Sequence, residues 1–216
     1  MGRLKCSTSG SAGGDFDIED EIEMMMESTE NNALEALLAG VVSPLKRQLL
    51  VLACISRRMK ELGSQVPVLI GGCALAYYSR EVYFTSDIDL ACSDRETLDT
   101  VLRETGFVVE GRYWVHHAMN LMVEAPAGAL TGEDAAREIV EVGEGLECCV
   151  IGIEDLLIDR MNACVHWKSS QECELVELLI RLWSTEIDWN YMLERAGRPV
   201  NSTRERFEEL RSKYGS

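Results

Sequence analysis

The segment VPVLIGGCALAYYSREVYFTSDIDLA, residues 66–91, places two short apolar runs on either side of a glycine pair and a helical stretch. The first run, Val68–Ile70, ends at Gly71 and Gly72, which is typical of a buried strand that finishes in a tight turn. A short helix is predicted to follow over residues 74–78. The segment therefore predicts a strand, a turn and a helix that lead into a second strand.

The second strand alternates acidic and apolar residues, with Asp87 and Asp89 on either side of Ile88. Successive side chains of a strand point to opposite faces, so both aspartates share one face while Ile88 enters the core. Mg²⁺ prefers carboxylates, water and phosphate oxygens as ligands. Glycines such as Gly71 and Gly72 let backbone N–H groups approach a phosphate closely. We therefore predict a site for Mg²⁺ (or Mn²⁺) beside a backbone surface that a triphosphate can approach.

Helices and strands alternate on both sides of this segment. Upstream, the N-cap residue Ser43 and Pro44 begin a predicted amphipathic helix that closes at Gly63. Downstream, the predicted elements are a helix at 94–105, strands at 107–109, 113–115, 121–124, 139–142 and 148–151, and helices at 154–163, 171–182, 188–196 and 202–213. The pattern predicts an α/β (α+β) fold with a mixed-sheet core and a C-terminal helical lobe. The predicted division is a flexible acidic segment at 1–30, the core at 31–152 and the lobe at 153–216.

The charge balance limits the possible partners. The chain has 37 acidic and 21 basic residues and a net charge of -16, which argues against a broad basic surface for nucleic acid. A local basic channel remains compatible with this balance. Between Asp15 and Glu35, nine carboxylates occur without a Lys or Arg. That stretch is either a solvated helix or a segment that docks a partner or covers the protein's own cleft.

Apolar patterning predicts a cytoplasmic protein without membrane association, because no apolar run approaches the roughly 18 residues of a membrane span. The amino terminus also lacks the apolar segment of a secretory signal. The eight cysteines are expected to be reduced and largely buried, without a zinc site. The cysteines in apolar segments are Cys54, Cys73, Cys92, Cys149 and Cys164. The tryptophans are expected to anchor packing rather than to stack on bases; they are Trp114, Trp167, Trp183 and Trp189.

Ile70-Gly71-Gly72 and Thr85-Ser86-Asp87-Ile88-Asp89-Leu90 together resemble the signature of the nucleotidyltransferase (polymerase-β-like) superfamily. The resemblance covers roughly residues 66–196. The two motifs are most similar to those of the abortive-infection toxin-like and related uncharacterised prokaryotic branch. Residues 153–160 and 166–168 of this chain also resemble the helical region of that branch. The resemblance implies a nucleotidyltransferase fold in which Asp87 and Asp89 bind the catalytic metals and a neighbouring strand supplies a third carboxylate.

Glu124 is the candidate for that third carboxylate. It ends the predicted strand at 121–124, and alternation places it on the face opposite Leu121 and Val123. Such an acid could also deprotonate an acceptor hydroxyl. The resemblance further implies that Arg160 and Lys168 neutralise the triphosphate, although a salt bridge between Arg160 and Asp159 is an equally open interpretation. The pair His116 and His117 is assigned no role.

The leading hypothesis is metal-dependent transfer of a nucleoside monophosphate from a nucleoside triphosphate to a hydroxyl acceptor, with release of pyrophosphate. The resemblance leaves RNA, a protein hydroxyl and a small molecule open as acceptors, and implies an antitoxin as a possible protein partner. The alternative is a catalytically silent module that binds a nucleotide or a partner. Its support is Phe84, where the branch often has a basic residue, and Cys73, where a hydroxyl residue is usual. A third hypothesis is a structural domain that binds a divalent cation without nucleotide.

Overall fold

A computed structural model of the chain describes residues 33–126, 135, 137–143 and 145–215. The predicted flexible segment at 1–30 lies outside these residues. The described helices are α1 (33–38), α2 (Pro44–Glu61), α3 (Gly71–Tyr78), α4 (Arg95–Glu104), α5 (Ile153–His166), α6 (Ser170–Trp183), α7 (Trp189–Ala196) and α8 (Arg204–Tyr214). The described strands are β1 (Val68–Leu69), β2 (Asp87–Ala91), β3 (Val108–Glu110), β4 (Tyr113–His116), β5 (Leu121–Glu124), β6 (Arg137–Gly143) and β7 (Leu146–Ile151).

The strands form one seven-stranded mixed sheet with the order β3-β4-β5-β2-β1-β7-β6. The strand β1 pairs antiparallel with the central strand β2 and parallel with β7. On its other side β2 pairs parallel with β5, whereas the two edges of the sheet are antiparallel hairpins. From Ile153 onward, all described elements are helices. The predicted α/β fold with a mixed sheet and following helices is confirmed.

The helix α2 packs along the sheet and against α4. Its start follows the predicted capping, because the Ser43 hydroxyl accepts a hydrogen bond of 3.1 Å from the Lys46 N–H and Pro44 occupies the first turn. The apolar stripe of α2 is buried and includes Leu52, Ile55 and Met59. Burying such a stripe is what stabilises a helix of this kind in a folded domain.

The junction between sheet and helical lobe is fixed by polar contacts as well as by packing. The buried Tyr78 hydroxyl at the end of α3 donates a hydrogen bond of 2.8 Å to the Ile151 carbonyl oxygen of β7. In turn, Trp183 of α6 donates from Nε1 to the Tyr78 carbonyl oxygen at 2.8 Å, and the two rings meet edge to face. The lobe is therefore joined to the same short helix that begins at the glycine turn.

The prediction of reduced thiols is wrong for Cys164, which forms a disulfide with Cys173. The last turn of α5 and the first turn of α6 bring the two Cα atoms to 4.9 Å, within the range that a disulfide bridges. A spacing of nine residues across a helix corner has no recognisable sequence signature. The free cysteines of the described chain are half-buried or buried; they are Cys54, Cys73, Cys92, Cys148 and Cys149.

The packing prediction for the tryptophans is wrong for Trp167. Trp114 and Trp189 are buried, but the Trp167 side chain is 82% exposed. It occupies the C-cap position of α5, beyond the last residue of that helix's buried face. Sequence pattern alone does not distinguish an apolar residue just inside a helix from one just past its end.

Within the described part of the chain, no helix combines the length and the apolar character needed to cross a membrane.

Candidate metal centre and adjoining cleft

Three carboxylates meet on one face of the sheet, where β2 and β5 run side by side. The parallel register sets Asp89 opposite Glu124 and Asp87 opposite Met122. One carboxylate oxygen each from Asp87, Asp89 and Glu124 lies within 4.8 Å of the others. The intervening Ile88 is fully buried beneath them. Three hard oxygen donors in such a cluster fit Mg²⁺ or Mn²⁺.

The carboxylate of Asp89 contacts the glycine turn. Its Oδ2 accepts a hydrogen bond of 2.9 Å from the Gly72 N–H, in the first turn of α3. Burial raises the pKa of Asp89 above its ordinary value, and the charges of Asp87 and Glu124 act in the same direction. The Gly72 N–H and the Arg160 guanidinium oppose this shift. A cation at the cluster would relieve the mutual repulsion of the carboxylates.

The glycine turn has the close approach that the sequence predicts. Gly71 has φ +58°, and a Cβ at this position would lie 2.8 Å from Cγ of Asp89. A Cβ on Gly72 would lie 3.2 Å from Cβ of Thr85. Both distances are tighter than ordinary van der Waals contact, so the two residues are glycine because the Asp89 and Thr85 side chains fill the space beside them.

Two polar residues that the sequence analysis did not identify support Asp87. The Thr85 hydroxyl donates a short hydrogen bond to Oδ1 of Asp87. From α2, the buried Gln48 donates from Nε2 to the Thr85 carbonyl oxygen at 3.1 Å and lies 3.5 Å from the Asp87 carbonyl oxygen. Its Oε1 accepts from the Cys73 thiol at 3.5 Å. A glutamine on the otherwise apolar face of α2 was the available sequence signal.

Glu124 also has a cationic neighbour, Arg112. Its Oε1 lies 3.4 Å from Nε of Arg112, in the turn between β3 and β4. The Glu124 side chain is 15% exposed and the Arg112 side chain 70% exposed. Because one partner is largely in water, this pair contributes little to stability and Arg112 can move away when a cation takes its place.

A cleft of about 450 Å³ adjoins the carboxylates and separates the sheet from the helical lobe. Asp89, Glu124 and Gly71 contribute to its sheet side. Asp87 belongs to the carboxylate cluster but is not one of the described residues that line this cleft. The lobe side comes from α5, α7 and the loop after α7, and its polar side chains are Asp155, Asp159, Arg160, Asn162, Arg195, Arg198 and Asn201. The size is within the range of small-molecule sites.

The two basic residues predicted to contact triphosphate lie in different places. Arg160 lines the cleft, where its Nε is 3.0 Å from Oδ2 of Asp159 and its Nη1 3.5 Å from Oε1 of Glu172. It therefore forms the salt bridge that the sequence left open and also faces the cleft. Lys168 is exposed and, among the described residues, is not one of those lining the cleft.

A buried ion pair in the lobe wall was not predicted. Nε of Arg195 lies 2.6 Å from Oδ1 of Asp155, and both side chains are at least nine-tenths buried. The Tyr191 hydroxyl donates to the other oxygen of Asp155 at 2.6 Å. The pair joins α5 to α7, and such a pair holds its geometry because removing either partner leaves an uncompensated buried charge. Arg195 and Asp155 both line the cleft.

No protein-family model matches the chain, and no curated protein matches it. Among solved structures, the chain is similar to an antigenic nucleotidyltransferase-like protein from Paracoccidioides brasiliensis. The similarity has a TM-score of 0.49 at 15% sequence identity and covers 74% of this chain and 92% of that one.

Proposed function

We propose that the protein is a metal-dependent nucleotidyltransferase, which transfers a nucleoside monophosphate from a nucleoside triphosphate to a hydroxyl group and releases pyrophosphate. The observation that carries this proposal is the cluster of Asp87, Asp89 and Glu124 within 4.8 Å, next to a glycine turn and a cleft. The motif resemblance over Ile70–Gly72 and Thr85–Leu90 supports the same reaction class.

In this proposal, Asp87, Asp89 and Glu124 hold Mg²⁺ or Mn²⁺. When bound, the metal supplies charge neutralisation for the phosphates and activation of the attacking hydroxyl. Gly71 and Gly72 are assigned to seating the triphosphate, since α3 begins there and Gly71 lines the cleft.

The transfer step has a simple atomic balance. The acceptor oxygen forms a bond to the α-phosphorus, the bond from that phosphorus to the bridging oxygen of the β-phosphate breaks, and pyrophosphate leaves. The proton of the acceptor hydroxyl goes to a carboxylate, for which Glu124 is the candidate because it lines the cleft. Arg160 faces the cleft from the lobe and is assigned to phosphate charge.

A second candidate function is a catalytically silent nucleotide- or partner-binding module. Phe84 favours it, because this apolar side chain is 67% exposed just before Thr85. An antitoxin-like partner and a cytoplasmic location remain predictions of the sequence. The transferase needs the carboxylates for turnover, whereas the binding module needs only a surface that binds its ligand.

The test is transfer of label from each of the four α-phosphate-labelled nucleoside triphosphates, with Mg²⁺ or Mn²⁺, into RNA, protein and small-molecule acceptors. The Asp87→Asn and Asp89→Asn variants keep the side-chain volume and remove the negative charge, so we expect label transfer to fall at least about a hundredfold. Glu110→Gln, an exposed carboxylate of β3, is the matched control and should transfer label as the wild type does. Transfer that persists in both aspartate variants would contradict the proposal.

A further inference from the structure

Two segments without carboxylates contribute residues to the lining of the cleft. Residues 160–171 and 195–204 lack Asp and Glu, although the chain has 37 of them. The same segments contain five of the 21 basic residues and His166. The five are Arg160, Lys168, Arg195, Arg198 and Arg204. These segments therefore carry local positive charge within a chain of net charge -16.

The fold brings the two segments together at the mouth of the cleft. His166 donates from Nε2 to the Asn201 carbonyl oxygen at 2.9 Å, and Asn162 donates from Nδ2 to Oδ1 of Asn201 at 2.9 Å. Asn201 in turn donates from Nδ2 to the Arg195 carbonyl oxygen at 2.8 Å. These bonds fix the end of α5 against the loop after α7. The exposed residues on either side of them are called the basic rim; they are His166, Trp167, Lys168, Arg198 and Val200.

The basic rim combines an exposed aromatic ring with positive charge. Trp167 is 82% exposed and Val200 73% exposed, and Val200 and Arg198 also line the cleft. Lys168 is exposed, and no salt bridge joins it to another described residue. Its left-handed backbone, with φ +55°, follows directly after Trp167 and turns the chain at the rim. The rim is therefore continuous with the cleft.

Several basic residues elsewhere on the surface differ from Lys168, because carboxylates on the same helix pair with them. Arg103 pairs with Asp99 at 2.8 Å, and Arg181 pairs with Glu177 at 2.6 Å. Arg204 has such a pair with Glu208 at 2.7 Å, so it does not belong to the rim. The positive field at Lys168 has no local counter-charge of this kind.

We propose that the basic rim binds single-stranded RNA and delivers its terminal hydroxyl to the cleft as the acceptor. A base stacks on Trp167, and the backbone phosphates contact Lys168 and Arg198. Aromatic rings interspersed with cations are the recognition chemistry of single strands, whose bases are free to unstack. A duplex hides its bases, and an acidic peptide without aromatic residues has no ring to stack on Trp167. This inference rests on the proposed function for the transfer step, whereas the binding step stands on the rim alone.

The experiment is fluorescence anisotropy of a short fluorescein-labelled single-stranded RNA, titrated with the full chain at several salt concentrations. Trp167→Ala should weaken RNA binding about tenfold, because a base loses its stacking partner, and Trp167→Phe should recover most of the loss. Lys168→Ala should lower the salt dependence of log Kd by about 0.7, the value for one phosphate contact in a single strand.

Two matched control variants change residues that do not line the cleft. Ile139→Ala removes an apolar side chain that is 74% exposed on β6, and Lys60→Ala removes a surface lysine of α2 that lies 3.8 Å from Glu147. Both should bind RNA as the wild type does. The same RNA annealed to its complement, and an acidic peptide of similar charge, should bind at least about tenfold more weakly than the single strand.

The outcomes separate this inference from the proposed function. If wild-type protein does not bind the RNA, if Trp167→Ala binds it equally well, or if duplex or peptide competes equally, the rim inference is overturned, even when label passes to another acceptor. The Asp87→Asn/Asp89→Asn variant should bind RNA with wild-type affinity and transfer no label to it. RNA binding without aspartate-dependent transfer to any acceptor would leave the rim standing and remove the proposed function.

Discussion

Gly71 and Asp89 occupy adjoining space at the start of α3, so the glycine controls the position of the carboxylate. The left-handed φ of +58° already favours glycine there, and the contact with Asp89 adds a second constraint. The Asp89 carboxylate accepts a hydrogen bond from the Gly72 N–H and packs into the space beside Gly71, so it has little freedom to move. Such restriction preorganises a metal ligand before the metal arrives.

Substituting alanine for Gly71 should reduce both stability and metal affinity. We expect a loss of about 1–2 kcal/mol in the free energy of unfolding from the left-handed backbone. We also expect weaker Mn²⁺ binding, because the new Cβ displaces Asp89. Gly63→Ala is the control, since Gly63 has φ +75° and nothing within 4 Å of an added Cβ. Urea unfolding and Mn²⁺ titration measure the two effects. Equal Mn²⁺ affinity in both variants would show that the Asp89 contact is unimportant.

His116 should make the stability of the fold depend on pH. It is buried at the end of β4 against Phe107, and its Nδ1 accepts a hydrogen bond of 3.3 Å from the Met119 N–H. Burial lowers the pKa of His116 below its ordinary value of 6.5, while the Glu35 charge acts in the opposite direction and His117 reinforces the shift. The unfolded chain therefore takes up a proton on this side chain at a higher pH than the folded chain does.

The resulting stabilisation is complete above pH 6.5 and is lost as the pH falls from that value towards the lowered pKa of the folded state. His116→Gln keeps a hydrogen-bonding side chain but does not titrate. When the pH is lowered from about 7.5 to about 5.5, the free energy of unfolding should therefore fall more for the wild type than for the variant. Urea unfolding at the two values measures this shift, and a difference that stays constant with pH would contradict the assignment.

At the scale of elements, the corner between α5 and α6 connects the cleft to the lobe. Arg160 of α5 lines the cleft and contacts Glu172 of α6, the neighbour of the disulfide residue Cys173. The disulfide therefore closes the same corner that positions Arg160. Helices joined by a short loop and a covalent bond keep their relative orientation better than helices joined by packing alone.

Reduction of the disulfide should destabilise the protein. The bridge closes a loop between residues nine apart, for which the loss of chain entropy in the unfolded state corresponds to about 2–3 kcal/mol. Urea unfolding of the wild type should thus move to a lower midpoint in dithiothreitol. The Cys164→Ser/Cys173→Ser variant is the control and should unfold at a midpoint that the reductant does not change. Identical midpoints for the wild type with and without reductant would refute the prediction.

At the scale of the whole molecule, the sheet and the helical lobe form the two walls of one cleft. Among the described residues, the sheet wall carries the carboxylates of Asp89 and Glu124 without a basic residue, whereas the lobe wall carries three guanidinium groups, of Arg160, Arg195 and Arg198, beside the carboxylates of Asp155 and Asp159. A metal–triphosphate complex carries both signs of charge. Its cation would face the carboxylates of the sheet wall, and its phosphate oxygens would face the guanidinium groups of the lobe wall. A ligand that bridges the walls should stabilise the fold as a unit.

Thermal unfolding should therefore respond to metal and nucleotide together. Ligand at about a hundred times its Kd adds about 2.7 kcal/mol, which corresponds to a Tm increase of roughly 5–10 °C for a domain of this size. We expect Mg²⁺ with a nucleoside triphosphate to raise Tm more than Mg²⁺ alone, and Asp89→Asn to abolish the difference. If Mg²⁺ alone produced the whole increase, a structural cation site without nucleotide would be the better description.

The sequence by itself predicted the features that depend on local order along the chain. The alternation of Asp87 and Asp89 with apolar residues fixes their common face, and the capping residue Ser43 fixes the start of α2. The position of Glu124 on the face opposite Leu121 and Val123 also follows from alternation within its own strand. These features are predictable because a period of two or of 3.6 residues is set by backbone geometry and not by distant contacts.

Only the tertiary structure decided which distant residues meet. The parallel pairing of β2 with β5 sets Asp89 opposite Glu124, and no local pattern specifies that choice of partner strand. Gln48 reaches the carbonyl oxygen of Thr85 from 37 residues away. Trp167 is exposed because α5 ends just before it, and Cys164 is oxidised because α6 turns back towards it. Such contacts arise when helices and strands pack together. The free energy of this packing depends on the complete fold and not on the order of neighbouring residues.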